Sequence, residues 1–296
     1  MKRQYKLLPV VTILLLDIIF SGCAVKTKML APPPLAPPPQ APVLKYVMPD
    51  GQTFTYKLSS GFYQTMSIRG IPLKTTVLKD MVVTLYQIAF AEDAYQVMMM
   101  INDVSMKVTA PGTNITPDLS KIPGNSFEMT VTNSGEEIGL MGADELTYSL
   151  GDEGEQNMES EFEHFFPDLP EQPLNPGDTW TSTDTIDASG GGMETVVVIQ
   201  SENTLAGYEL IKGHECAKIT SVYTSSVTSS GTKEGANIDS DIEMEGKETL
   251  YFDFKLGVLV QQTSTGSGDG TVKISGQNEM TLPMSQTVTS KLELVE

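Results

Sequence analysis

From about residue 50 onward, apolar and polar positions alternate with a period of two in short runs, the spacing that places one side of an extended chain against a core. Gln52 to Leu58, Phe62 to Ile68 and Leu73 to Leu78 read as strands separated by Ser59-Ser60-Gly61 and Gly70-Ile71-Pro72. Asp80 to Phe90 and Ala94 to Val104 differ, because both of their faces are apolar. In the first, Met81, Val83 and Leu85 oppose Val82, Tyr86, Ile88 and Phe90; in the second, Val97, Met99 and Ile101 oppose Met98, Met100 and Val104. A strand covered on both sides belongs in mid-sheet, with a core behind it and a helix or a cavity in front. Ala91-Glu92-Asp93 is the turn between them, and Phe127 to Thr132 with Glu137 to Met141 form a further hairpin closed by Asn133-Ser134-Gly135.

The period then changes. Met158, Phe162, Phe165 and Phe166 recur at i, i+4, i+7 and i+8 with acidic residues between, which predicts a helix stopped by Pro167. Pro167, Pro170 and Pro173 then favour extended backbone crossing a surface, and Asn175-Pro176-Gly177-Asp178 reads as a type II turn leading into Trp180, the only tryptophan. Pro167, Pro170, Gly177, Asp178 and Trp180 are the expected structural hinge, with Trp180 buried.

Beyond the hinge the chain is almost wholly β in pattern. Trp180 to Ile186, Met193 to Gln200, Tyr208 to Ile211, Ala217 to Tyr223, Thr249 to Phe254, Val258 to Ser264, Thr271 to Gly276 and Met284 to Val295 alternate between turn clusters. Asn237 to Glu245 is strictly two-faced, with Asn237, Asp239, Asp241, Glu243 and Glu245 on one side and Ile238, Ile242 and Met244 on the other. Carboxylates spaced along one strand converge poorly on one ion, so that face reads as solvated surface. The predicted fold is mainly β: a large curved antiparallel sheet or open half-barrel with one or two short helices. Halves at about 45–155 and 178–296 join through helix and hinge 156–177 into a single β-rich domain over 45–296.

The N-terminus changes the picture of where this domain resides. Lys2, Arg3 and Lys6 precede an apolar run from Leu7 to Phe20, and Phe20-Ser21-Gly22-Cys23 ends it in a small-residue cleavage site. This resembles the signal peptide and lipobox of bacterial lipoproteins, which implies cleavage after residue 22 and acylation of Cys23. The run falls short of the roughly 20 residues that span a bilayer. Two or more acyl chains would anchor the protein stably, at about 0.8 kcal/mol per buried methylene. Ala24 stands where an aspartate often marks retention at the inner membrane, so the resemblance implies a bacterial envelope protein anchored in the outer membrane and facing the periplasm. Ala31 to Pro42, with seven prolines in twelve positions, reads as a polyproline tether within segment 23–44, holding the domain roughly 40 Å from the lipid.

Charge and cysteine content narrow the chemistry. The net charge is −19; removing the first 22 residues, which carry a net +2, leaves −21. Half of the 38 acids lie between Lys121 and Lys212, an interval without lysine or arginine, and this argues against nucleic acid and against docking on anionic lipid. Once Cys23 is acylated, only Cys216 is left, so no internal disulfide can form. His164 and His214 belong to no hydrolase or metal motif, and neither a phosphate-binding loop nor a dinucleotide fingerprint is present. We expect no cofactor, no metal and no enzymatic activity.

Gly124-Asn125-Ser126-Phe127-Glu128-Met129-Thr130-Val131, Gly135-Glu136, Gly142, Phe166-Pro167-Asp168-Leu169-Pro170, Gly177-Asp178-Thr179-Trp180, and Leu250-Tyr251-Phe252-Asp253 with Gly257-Val258-Leu259 together resemble a group of uncharacterised bacterial lipoproteins. Those are similar in architecture to the Lol-type lipoprotein carriers, in which a curved sheet can enclose an acyl chain. The resemblance covers most of residues 45–295 and brings no catalytic residues. With the two-sided strands it implies an apolar ligand, an acyl chain or lipid, in a concave cavity whose candidate lining is Met81, Val83, Leu85, Phe90, Met98 and Met100. The alternative is a structural or partner-binding envelope module in which these methionines fill a core.

Overall fold

The computed structural model describes residues 34–38, 40–151, 155–190, 192–233, 235–276 and 279–295. Cys23 and the segment preceding it lie outside the described residues.

The strands in chain order are β1 Pro34–Leu35, β2 Thr53–Ile68, β3 Ile71–Ala91, β4 Ala94–Ala110, β5 Thr113–Ile115, β6 Ser126–Thr132, β7 Glu137–Met141, β8 Thr147–Ser149, β9 Glu155–Asn157, β10 Thr179–Gly190, β11 Met193–Ile211, β12 His214–Lys233, β13 Ala236–Asp253, β14 Val258–Ser275 and β15 Met280–Val295. All but β8 and β9 belong to one antiparallel sheet, with the path β11-β12-β13-β14-β15-β2-β3-β4-β6-β7. β10 and β1 share the free edge of β11. The sheet is mainly β and open, as the alternation predicts.

Many strands are longer than the sequence pattern suggests. Ser59-Ser60-Gly61 lies within β2, and β11 and β14 run unbroken through segments that had read as loops. Reversals occur instead where two successive residues take positive φ, at Arg69-Gly70, Glu92-Asp93 and Lys212-Gly213, the geometry of tight hairpins that follow the twist of their strands. The small residues that resembled turns have another role. Inside β14, a Cβ on Gly268 would lie 2.0 Å from the Glu243 carbonyl oxygen and one on Gly270 2.2 Å from that of Asp241. Side chains there would hold β13 and β14 apart, so their absence lets the sheet coil.

Coiling brings the two free edges, β7 and β10, toward one another, and the segment expected to be helical bridges them. It is not an α-helix. A single 3-10 turn at Glu159–Glu161 gives way to His164 at φ 62°. So short a helix is marginal alone, and here its backbone is committed elsewhere: Met158 N–H bonds Leu146 O and Phe166 N–H bonds Glu137 Oε1 on β7 at 2.7 Å. On the opposite side Glu163 accepts the backbone N–H of Asp187 on β10. Met158, Phe162, Phe165 and Phe166 are all buried nonetheless. Their spacing marked burial correctly and periodic structure wrongly.

These aromatics fill the interior of the first half. Phe162 packs on Phe127, Phe165 on Tyr56, and Phe166 on Tyr46, which also meets Phe252 of the second half edge-on. Residues 44–48 hold the halves together. Leu44, Tyr46 and Met48 are buried, Tyr46 N–H bonds Asn133 O, and Val47 N–H bonds Gly257 O. Among the described residues the β ladder joins the halves at Leu294–Tyr56 and Val295–Thr55. The proline-rich tether is also partly docked, since Pro34–Leu35 pairs with Glu209 and Tyr208.

Candidate functional site

The inner face of the second half carries a polar patch among apolar residues such as Leu205, Ile219, Leu250 and Phe252. Antiparallel register places Asn203, Ser221, Glu248, Ser264 and Ser290 side by side across β11 to β15. In the adjoining row stand Ser182, Ser201, Tyr223, Gly246 and Gly266. The two glycines accommodate the tyrosine. A Cβ on Gly246 would lie 2.1 Å from Tyr223 Cζ, and one on Gly266 2.5 Å from its hydroxyl oxygen. The Tyr223 ring therefore lies along the floor of the sheet, its hydroxyl 3.2 Å from Ser264 Oγ. Ser221 Oγ donates to Asn203 Oδ1 at 2.5 Å, and Gln262 Nε2 donates to Glu248 Oε2 at 2.9 Å.

Above this floor the bridging segment supplies Glu161, Glu163, His164 and Asp168, which with Asp184 line a half-open cavity of about 120 Å3. Glu161 contacts the buried ammonium of Lys79 on β3. His164 Nδ1 lies 3.8 Å from Asp184 Oδ1. Loss of water pushes the carboxyls of Glu163, Asp184 and Glu248 above their ordinary values. Asp168 is pushed up to about 6, first by desolvation and then by the like charge of Asp184, with His164 acting in the opposite sense.

The residues proposed to line an apolar cavity do not come together. Met81, Val83 and Leu85 are fully packed in the core. Met98 and Met100 are half-buried on the opposite face. Phe90 is 49% exposed, and the irregularity between Gln87 and Ala89 pairs it with Tyr95 at a centroid distance of 4.5 Å. A second bulge, at Val82/Val83, moves Val104 to the buried face with Met81. In the hinge, Pro167 O accepts the Tyr46 hydroxyl, Leu169 N–H bonds Ser134 O, and Pro170 is half-buried. Gly177, at φ 96°, completes the turn in which Asp178 N–H bonds Asn175 O, and Gly177 N–H and Asp178 O both bond Leu205. Trp180 is only half-buried, a correction that follows from its place on edge strand β10.

Other chemistry-bearing groups are structural. Asp253 takes His214 Nδ1 at 2.9 Å and the N–H groups of Lys255 and Leu256, which fixes the β13–β14 turn. Burial pushes the Cys216 thiol up to about 12, leaving it protonated and inert at neutral pH. The polar floor leaves little mark in the sequence, because serine- and threonine-rich strands show only alternation. One available signal was glycine at a spacing of two, Gly266, Gly268 and Gly270, which marks one face of a strand stripped of side chains.

No protein-family model matches the chain, and no curated protein does. Among solved structures, the hypothetical lipoprotein YmcC from Escherichia coli K12 is 18% identical over 78% of this chain and 83% of that one, with a TM-score of 0.22. The translocator domain of the autotransporter NalP from Neisseria meningitidis is 6% identical over 81% and 88%, with a TM-score of 0.20. A BenF-like porin from Pseudomonas fluorescens Pf-5 is 7% identical over 83% and 100%, with a TM-score of 0.17. Likeness at this level carries nothing about function. The outer face of β13, with Asp239, Asp241, Glu243 and Glu245 all exposed, is moreover unlike a lipid-facing barrel wall, where charges are destabilising.

Proposed function

We propose that this is a lipid-anchored protein of the bacterial envelope, held in the outer membrane through Cys23, that binds a small polar ligand inside a coiled β-sheet without transforming it. The observation that carries this reading is the polar row Asn203, Ser221, Glu248 and Ser264 lining a half-open cavity. Buried polar groups cost stability unless hydrogen-bonded, so polar side chains gathered around a space suit a polar occupant better than an apolar one. That moves the ligand away from an acyl chain. The methionines and leucine that suggested one are packed in the core or lie on the opposite face, and drug-sized apolar pockets are on the order of 300–1,000 Å3.

A partner-binding role has one specific observation in its favour. Register places Tyr86, Met98, Glu128 and Met141 in one row on the outer face of β3 to β7, with Met141 69% exposed, a part-apolar strip that an envelope protein could cover.

Native mass spectrometry of the full chain, extracted from the envelope in mild detergent, tests the main reading. A co-purifying small polar molecule is expected. A bound lipid or fatty acid would restore the acyl-chain reading, and an empty chain under conditions that retain weak ligands would favour the partner-binding role. The Cys23→Ser variant should leave the membrane fraction or keep its signal uncleaved.

A further inference from the structure

Among the described residues the sheet ends in a strand with one side unpaired. β10, Thr179–Gly190, pairs with β11 along all of its 12 residues without a register shift, and the sheet order places no strand on its other side. Natural edges of this length are blunted by a proline, a lysine or a bulge, and β10 has none of these. One contact shows which backbone groups point outward. Glu163 accepts the N–H of Asp187, so the Asp187 amide faces away from β11. Alternation along an unbroken ladder then turns the N–H and C=O of Thr181, Thr183 and Thr185 the same way, and all three residues are exposed. Space lies beside this edge. A cleft of about 690 Å3 separates Trp180 to Thr183 from Asp168 to Gln172, and one of about 490 Å3 separates Thr183 to Asp187 from Glu136 to Leu140 on the β7 side. Asp168 and Thr183 line both, so the two clefts meet in one trough along the edge, roughly 25 Å of extended chain from Trp180 to Asp187.

We propose that β10 receives an extended, basic segment of another protein as an added strand. Such a guest bonds the outward backbone groups of Thr181, Thr183 and Thr185 through its own main chain, which supplies affinity without reading side chains. The trough walls then select its charge. Glu136, Glu163, Asp168, Glu171, Asp184 and Asp187 line it, and no lysine or arginine does. A second copy of this chain, with its net charge of −19, would bring like charges together along the edge. Lysines at alternate positions of a guest strand project instead beside these carboxyls, and opposite charge both speeds the encounter and fixes the partner. The proposal is independent of what occupies the half-open cavity, because it rests on the outward backbone of β10 and the space beside it.

Trp180 lines the trough and is the only tryptophan, so its emission reports a guest directly. The full chain in a non-ionic detergent is titrated with a short peptide alternating lysine and valine, with its fully N-methylated form, and with its counterpart carrying glutamate for lysine. The lysine peptide should shift Trp180 emission to saturation and slow hydrogen exchange at the Thr181, Thr183 and Thr185 amides. The other two should each bind at least about tenfold more weakly. Thr183→Pro removes an outward N–H and obstructs a guest while leaving the β10–β11 ladder bonds in place, and should weaken the lysine peptide about tenfold or more. Thr185→Lys, at an exposed position, acts by repulsion and keeps the test open if the proline variant fails to fold. Equal binding of the N-methylated peptide would overturn strand addition, and equal binding of the glutamate peptide would overturn the basic guest. No binding of the lysine peptide at about 1 mM would overturn both. A dimer of the full chain that Thr183→Pro dissociates would assign the edge to a second copy and overturn the proposal as well.

Discussion

The two halves of the sheet use the same alternation for opposite ends. On β2, β3 and β4 the inward positions include Tyr56, Leu58, Phe62, Met81, Val83, Val97 and Met99, with Ser60, Gln64, Thr75 and Lys79 also buried, and Phe165 of the bridging segment packs against Tyr56. On β11 to β15 the corresponding positions include Asn203, Ser221, Tyr223, Ser264 and Ser290, and the same bridging segment leaves a cavity. Both halves bury apolar side chains, the second including Ile219, Val227, Ile242, Leu250 and Phe252. The second spends interior positions on polar groups, and its tight glycine-based coiling keeps those groups close enough to line a space. Leu44 to Met48 touches both, since Tyr46 N–H bonds Asn133 O and Val47 N–H bonds Gly257 O.

The comparison is broken most severely on the apolar side. Phe165→Ala should cost about 3–5 kcal/mol as a large core truncation, read as a lowered urea midpoint. A loss under about 1 kcal/mol would show that the bridging segment is not part of the core. Glycine substitutions sharpen the contrast between halves. Gly268→Ala forces a Cβ against the Glu243 carbonyl and should cost about 1–3 kcal/mol, whereas Gly139→Ala on β7, with its nearest atom at 3.8 Å, should be close to neutral by the same measurement. Equal effects would remove coiling as the reason for the glycines. Trp180→Ala, at the edge of the polar half, should cost about 1–2 kcal/mol and not the full core value, since its side chain is only half-buried. Tryptophan emission in the native protein should be intermediate between buried and water-exposed indole.

Acidity provides the smallest effect; burial raises the cavity carboxyls and also Glu137 on β7. Asp168 titrates at about 6 in the fold against an ordinary value of 3.8. A carboxyl raised by folding favours the folded state below its unfolded value, and that contribution is lost as pH rises through the folded value. The melting temperature should therefore fall modestly between about pH 4 and pH 6.5, with Glu163, Asp184 and Glu248 shifted in the same direction. Asp168→Asn should flatten the profile. An unchanged profile in that variant would show that Asp168 is freely solvated.

Some of this was legible in the residues. Alternation with turn chemistry determined an antiparallel β protein, because side-chain direction in a strand follows directly from position parity. The face division of Asn237 to Glu245 was equally local, and it matches the structure. Local pattern failed where a residue's environment is set by distant chain. The spacing of Met158, Phe162, Phe165 and Phe166 is compatible with a helix, but backbone partners on Leu146 and Glu137 decided otherwise. Bulges at Val82/Val83 and Gln87/Ala89 reversed the faces of Val104 and Phe90, since one extra residue inverts all that follows. By itself the sequence determined strand character, net acidity and the lipobox-like start, each a property of neighbouring residues. Only the tertiary structure decided that Asn203, Ser221, Glu248, Ser264 and Ser290 form one row, because ladder register, which no single strand contains, sets which side chains share a wall.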